Sequence, residues 1–134
     1  MKEKADLVRG WLRKAHSDTL ALDGSLATGA LDAACFHAQQ AAEKYLKAFL
    51  VHAGVSFPFT HNLPKLVELC AGVDATFRSL LPHVEPLTPY AVELRYDEEF
   101  WPSPEVAEAA RASALAVREF VLKRLTPNFL PETP

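Results

Sequence analysis

The stretch that most constrains the fold is Cys35 to Leu50 (CFHAQQAAEKYLKAFL), which has the pattern of a helix at the centre of a bundle. At 100° per residue, small and aromatic apolar side chains fall on one continuous arc of this helix. They are Ala34, Ala38, Ala41, Ala42, Tyr45 and Phe49. Small side chains on such an arc let neighbouring helices approach closely. The sequence therefore predicts that this side is packed in the core.

The opposite side of the same helix carries a polar row. Its members recur at intervals of three, four and three: His37, Gln40, Lys44 and Lys47. Gln39 and Glu43 flank the row, and Glu43 precedes Lys47 by four residues, the favourable order for an ion pair. A solvated helix face would have this pattern too, but Phe36 lies inside the polar arc. We interpret this side as exposed and as a candidate binding surface.

Length and composition indicate one globular domain. The chain has 134 residues, of which 49% are hydrophobic and 23% charged, and its formal net charge is −3. An acidic total argues against a general nucleic-acid coat but leaves room for a local basic patch. The sequence shows neither a signal peptide nor a membrane-spanning run, so we expect a cytoplasmic protein without membrane contact. Cys35 and Cys70 each lie in an apolar helical pattern, which favours reduced core cysteines.

The first half of the chain predicts two long helices followed by a short one. The first spans about Lys4 to Leu26, with Gly24 and Gly29 marking the break after it. Four of its polar residues are expected on the outer face: Arg9, Arg13, Lys14 and Asp18. The central helix should end at Gly54, and the short third helix should be capped by Thr60 or Asn62 and closed by Gly72.

The second half predicts shorter elements and one last long helix. Asp74 to Leu81 reads as a turn of helix stopped by Pro82, and helical pattern resumes from Leu87 to Tyr96. After an acidic and aromatic loop, Ser103 should cap the last helix. The predicted fold is all-α, an up-and-down bundle of four to five helices. The expected domain covers residues 1–125, followed by a proline-rich arm at 126–134.

No cofactor and no metal site is predicted, because the five histidines lack the spacing of a ligand set. Two cationic residues stand out by position. His61 precedes the third helix, where free N–H groups favour an anion, and Arg95 lies at the expected exit of a helix. A capping histidine and an Arg95 salt bridge to Asp97 or Glu98 are the simpler alternatives.

Four motifs, in order along the chain, resemble the HEPN domain. They are Trp11…Ala15…Asp18, Gln39-Gln40-Ala41-Ala42-Glu43-Lys44-Tyr45-Leu46-Lys47-Ala48, Thr60-His61-Asn62-Leu63 and Leu94-Arg95-Tyr96-Asp97. The resemblance runs from about Val8 to Leu125 and implies a helical bundle that is usually dimeric. It also implies a role in nucleotide or RNA transactions, often beside a minimal nucleotidyltransferase in toxin–antitoxin pairs.

One departure from the family separates the functional hypotheses. HEPN ribonucleases carry a His after the Arg with four to six residues between them, but the corresponding positions after Arg95 hold Phe100, Trp101 and Pro102. No catalytic residue is therefore assigned, and the leading hypothesis is a non-catalytic domain that binds a nucleotide or similar anion in a groove. The expected ligand-binding residues are Gln40, Lys44, Lys47, His61, Arg95 and Tyr96.

Two alternatives remain open from the sequence: a metal-independent ribonuclease using Arg95 with His61, and an interaction subunit without a ligand. If Lys44, His61 and Arg95 converge, anion affinity should rise as pH falls through the titration of His61. A homodimer is expected, because four aromatic residues lie in predicted loops: Phe57, Phe59, Phe100 and Trp101. The resemblance implies a nucleotidyltransferase-fold partner, with nucleotide and RNA as possible ligands.

Overall fold

The computed structural model describes residues 3–125 and confirms an all-α bundle, with no strand in that range. Its five α-helices are α1 (Lys4–Thr28), α2 (Leu31–Ala53), α3 (Leu63–Ala71), α4 (Leu81–Val84) and α5 (Pro104–Leu122). Two short 3-10 helices are present at Ala75–Leu80 and Thr88–Tyr90. The arm expected at 126–134 lies outside the described residues.

Helices α1 and α2 form an antiparallel hairpin with a very short connection. Gly29 ends α1 with a left-handed φ of 83°, a conformation that costs glycine little because it lacks a Cβ. The expected break at Gly24 is wrong, because α1 continues through this residue to Thr28. A single glycine weakens a helix interior by only about 1 kcal/mol, which packing of the buried face of α1 can offset.

Helix α2 lies at the centre of the bundle and contacts α1, α3 and α5. Every residue of the predicted apolar arc is buried, from Ala34 to Phe49, and α2 ends at Gly54 as expected. Cys35 and Cys70 are both buried in this core. Burial raises the pKa of the Cys35 thiol to about 11 and that of Cys70 to about 12.

The segment after α2 begins as predicted and then departs from the prediction. Asn62 caps α3, since its side chain accepts a hydrogen bond from the Lys65 N–H at 3.1 Å. The following 3-10 helix leads directly into α4, so the expected stop at Pro82 is wrong. Pro82 lies in the first turn of α4, where the missing N–H would have had no helical partner.

Residues 87–96 do not form the predicted helix. Only Thr88–Tyr90 is helical, as a 3-10 turn, and residues 91–96 form further turns. The Leu94 N–H donates to Pro89 O, five residues back, at 2.9 Å, instead of to the carbonyl four residues back that an α-helix would use. Arg95 therefore lies in a turn, and its predicted place at a helix exit is wrong. Ser103 caps α5 as expected.

Candidate functional site: two carboxylate clusters and an unpaired arginine

A buried carboxylate organises the first group of polar residues, which we call the Glu43 cluster (Gln39, Glu43, Lys47 and His61). Glu43 is 3% exposed and accepts hydrogen bonds from Lys47 Nζ at 2.9 Å and from His61 Nδ1–H at 2.8 Å. Gln39 donates to the same carboxylate at 3.1 Å and to the His61 carbonyl at 3.2 Å. The cluster thus fixes the loop before α3 and leaves Nε2 as the free ring nitrogen of His61.

The charge on Glu43 is maintained although the residue is buried. Burial raises the pKa of a carboxyl, but hydrogen bonds from Lys47, His61 and Gln39 and the positive charge of Lys47 lower it further than burial raises it. The net pKa of Glu43 is therefore below the ordinary value of 4.5. The predicted Glu43–Lys47 ion pair is confirmed, but it lies in the interior instead of on a solvated face.

Three aromatic rings enclose the ammonium group of Lys47. Its Nζ lies 5.4 Å from the ring centre of Trp11, 5.8 Å from that of Phe57 and 5.7 Å from that of Phe59. Such distances allow cation–π attraction, which adds to the ion pair with Glu43. The expectation that Lys47 belongs to an exposed row is wrong, because its side chain is only 5% exposed. A ligand could reach its charge only by displacing the rings.

A second carboxylate with the same kinds of partner defines the Asp18 cluster (Asp18, His37 and Lys44). Asp18 of α1 is 8% exposed and accepts hydrogen bonds from His37 Nδ1–H at 2.9 Å and from Lys44 Nζ, both on α2. The expected outward position of Asp18 is therefore wrong. A signal was present in the sequence, because Asp18 follows buried Ala15 by three residues and precedes buried Leu22 by four.

Arg95 differs from the lysines because its charge is not neutralised. Its Cζ lies 4.3 Å from the ring centre of Phe36 and 6.0 Å from that of Tyr96, and the side chain is exposed. Arg78 and Arg111 each pair with a carboxylate, whereas Arg95 pairs with none within residues 3–125. The simpler alternative of a salt bridge to Asp97 or Glu98 is therefore absent from the described part of the chain. The N–H groups of Arg95 remain available to an anion.

The sequence-predicted site residues are divided among these three environments. Lys47 and His61 belong to the Glu43 cluster, Lys44 belongs to the Asp18 cluster, and Arg95 stacks on Phe36. Gln40 donates to Gln39 at 2.7 Å. Tyr96 is 82% exposed. His37 was not among the residues predicted from the sequence. Its Nδ1–H is bonded to Asp18, and its ring lies beside the Phe36 ring that Arg95 contacts.

Matches to known proteins show the family and the fold of this chain. The HEPN domain profile matches residues 8–125, which is most of the chain. The chain belongs to the HEPN domain family. A crystal structure of TT1696 from Thermus thermophilus superposes on this HEPN domain with a TM-score of 0.73 and 27% sequence identity, covering 88% of this chain and 98% of that one.

The structure of ST0689, described as an archaeal HEPN homologue, gives a TM-score of 0.72. Its sequence identity is 21%, with coverage of 94% of this chain and 100% of that one, so this likeness concerns the fold. The comparison with curated proteins finds no match.

Within the part of the HEPN domain that the structure describes, no group of three or more acidic, His or Cys side chains could hold a metal ion. No described helix has both the length and the apolar character required to cross a bilayer.

Proposed function

We propose that this HEPN domain binds a nucleotide or a similar phosphate-bearing ligand on the surface of α2 near Phe36. The observation that carries the proposal is the exposed guanidinium of Arg95, which lies over an aromatic ring and has no carboxylate partner among residues 3–125. A planar guanidinium with unpaired N–H groups binds phosphate oxygens in a bidentate manner. Exposed Tyr96 follows in the same turn and offers a face for stacking a base.

The buried clusters support this proposal by what they remove from the surface. Lys44 and Lys47 are neutralised by Asp18 and Glu43, so they add little net positive charge to the outside of α2. Anion recognition therefore depends on Arg95. The ligand-binding roles of Gln40, Lys44, Lys47, His61 and Tyr96 remain predictions.

Calorimetric titration with ATP, AMP and a short RNA tests the proposal. Arg95→Ala should weaken binding of the preferred ligand by about 1.5–3 kcal/mol, the scale of a hydrogen bond to a charged group. Arg95→Lys should recover only part of the loss, because an ammonium lacks the planar fork. Arg78→Ala, at an exposed arginine paired with Glu68, is the matched control and should bind as wild type does.

The melting temperature separates binding from folding. Arg95→Ala should melt within a few degrees of wild type, since an exposed side chain with no ion pair adds little to stability. If Arg95→Ala binds all three ligands as tightly as wild type does but melts at a much lower temperature, Arg95 is a structural residue and the proposal is refuted.

A second candidate function, metal-independent ribonuclease activity, is favoured by the Glu43–His61 hydrogen bond. A buried carboxylate that holds Nδ1–H orients an imidazole so that Nε2 can accept or donate a proton. Arg95 would then stabilise the phosphate of the RNA. Cleavage of RNA by purified wild-type protein, lost in His61→Gln, would support this candidate. Intact RNA after prolonged incubation would remove it.

Two partners are proposed on family grounds and on surface composition. Phe57 packs edge-on against Trp11 and Phe100 stacks on Tyr90, but Phe59 is 92% exposed and Trp101 is 74% exposed. Exposed aromatic side chains of this size support a homodimer. The proposal of a second partner, a nucleotidyltransferase-fold protein as in toxin–antitoxin pairs, rests on membership of the HEPN family. Co-purification with such a protein encoded nearby tests it, and failure to co-purify would contradict it.

A further inference from the structure

The ring of Phe36 connects Arg95 with an imidazole, that of His37. Phe36 contacts both residues: its ring centre lies 4.3 Å from Arg95 Cζ and 5.2 Å from the ring centre of His37. The Arg95 guanidinium and the His37 ring are therefore within about 10 Å of each other, the sum of these two distances. His61 is bonded instead to Glu43, seven residues further along α2, which is about 10 Å along the helix axis.

We propose that Arg95 and His37 together bind the terminal phosphate of a nucleotide across the edge of Phe36. This inference rests on the proposed function and adds the second phosphate contact and the ligand class. The sum of the two distances, about 10 Å, is the upper limit for the separation of Arg95 Cζ from the centre of the His37 ring. Two hydrogen bonds of about 2.8 Å plus the width of a phosphate group span about 8 Å, which suits this separation.

His37 is prepared for this contact by its partners. Asp18 of α1 accepts from Nδ1–H, and Lys44 of α2 neutralises Asp18, while Nε2 has no hydrogen-bond partner within residues 3–125. Three charged groups surround His37: Asp18, which it contacts directly, Lys44 across that carboxylate, and Arg95 across the ring of Phe36. An imidazole fixed in this way presents Nε2 to a ligand with little loss of side-chain entropy, and its side chain remains 28% exposed.

The surroundings of Arg95 favour one phosphate over a chain of phosphates. Four exposed carboxylates lie within four residues of Arg95 along the chain: Glu93, Asp97, Glu98 and Glu99. A longer RNA would place additional negative charges close to them, and like charges within a Debye length of about 8 Å repel each other. A nucleoside monophosphate delivers its charge to Arg95 and His37 alone.

Titration calorimetry with AMP, adenosine and a 5′-hydroxyl RNA hexamer tests the ligand class. AMP should bind at least about tenfold more tightly than adenosine, because the phosphate makes the charge-assisted contacts. The hexamer, which lacks a terminal phosphate, should bind more weakly than AMP. A hexamer that binds more tightly than AMP would overturn the assignment of a terminal phosphate while leaving the anion site intact.

His37→Gln tests the second contact, with His83→Gln as the matched control, because His83 lies on α4 and is only partly exposed, as His37 is. The phosphate itself titrates near pH 6, so the informative quantity is the ratio of wild-type to variant affinity for AMP at each pH. For His37→Gln this ratio should grow from less than about twofold at pH 8.5 to about tenfold at pH 5.5, as imidazoles gain charge. For His83→Gln the ratio should stay near one at both pH values.

Histidine ring resonances give a readout that does not depend on the stability of a variant. Addition of AMP to the wild-type protein should shift the ring signals of His37 and leave those of His61 nearly unchanged. A ring shift confined to His61, or an affinity ratio that depends on pH as strongly for His83→Gln as for His37→Gln, would refute the role of His37. If Arg95→Ala weakens AMP binding but His37→Gln does not, the proposed function stands and only this inference fails. If wild type binds ATP or RNA but not AMP, only this inference fails, and if it binds none of the three, both are refuted.

Discussion

Replacing Glu43 by glutamine should be among the most destabilising single changes that alter no side-chain size. The substitution keeps the shape of residue 43 but removes its charge, so the Lys47 ammonium, on a side chain that is only 5% exposed, loses its counterion. Removal of one partner from a buried ion pair costs about 3–5 kcal/mol. Cation–π attraction from Trp11, Phe57 and Phe59 offsets part of this, at about 0.5–2 kcal/mol.

With the middle of each range, about 4 and about 1 kcal/mol, the expected loss in free energy of unfolding for Glu43→Gln is about 3 kcal/mol. For a domain of this size it corresponds to a fall in melting temperature of about 6–12 °C. Urea and thermal unfolding, followed by circular dichroism, would measure both quantities. Glu68→Gln is the matched control, because Glu68 forms an exposed pair with Arg78 and should lose less than about 1 kcal/mol.

A double variant tests the reasoning behind this magnitude. Glu43→Gln combined with Lys47→Met removes the unpaired charge and keeps an unbranched side chain among the rings. The double variant should therefore be more stable than Glu43→Gln alone. If Glu43→Gln is as stable as Glu68→Gln, or if adding Lys47→Met lowers stability further, the buried pair does not hold this part of the molecule together.

Three further outcomes follow. Because the folded-state pKa of Glu43 is lowered, its carboxylate contributes stability that is present above about pH 4.5 and is lost as pH falls through the folded pKa. The difference in free energy of unfolding between wild type and Glu43→Gln should therefore shrink in that acidic range, and urea unfolding at several pH values would measure it. With thiol pKa values of about 11 and 12, Cys35 and Cys70 should resist alkylation at pH 8 in the native state and react in urea, and rapid native labelling in a mass spectrum would contradict their burial. Trp101→Ser combined with Phe59→Ser should shift light scattering toward the monomer mass at tens of micromolar protein, and a monomeric wild type would contradict the dimer.

The sequence predicted the fold well because the signals that determine it are local and repeated. The alanine and aromatic arc of α2, the glycine at position 54 and the caps at Asn62 and Ser103 each act through neighbours a few residues away. The prediction failed between Leu87 and Tyr96, where apolar spacing resembled a helix but the backbone forms a 3-10 turn and further turns, with the Leu94 N–H bonded to Pro89 O. Backbone hydrogen bonding prevailed over periodicity there.

The site was harder to predict because its contacts join distant parts of the chain. Spacing alone found the Glu43–Lys47 pair, since both residues lie on one helix. It could not show that Asp18 of α1 faces Lys44, or that three aromatic rings enclose Lys47. Buried polar residues look like surface residues in a sequence, because a helical wheel does not reveal which neighbour covers each face.

The two-residue connection between α1 and α2 also has a consequence for how the chain folds. The largest interface in the domain forms between these two helices, which are adjacent in sequence, so little loop entropy opposes it. The Asp18 cluster needs only this hairpin, whereas the Glu43 cluster also needs the loop that carries His61. We therefore expect the α1–α2 hairpin to form early, as a nucleus. Contacts between residues that are near each other in sequence favour rapid folding. The α5 helix, which reaches α2 from the far end of the chain, would then join last and close the core.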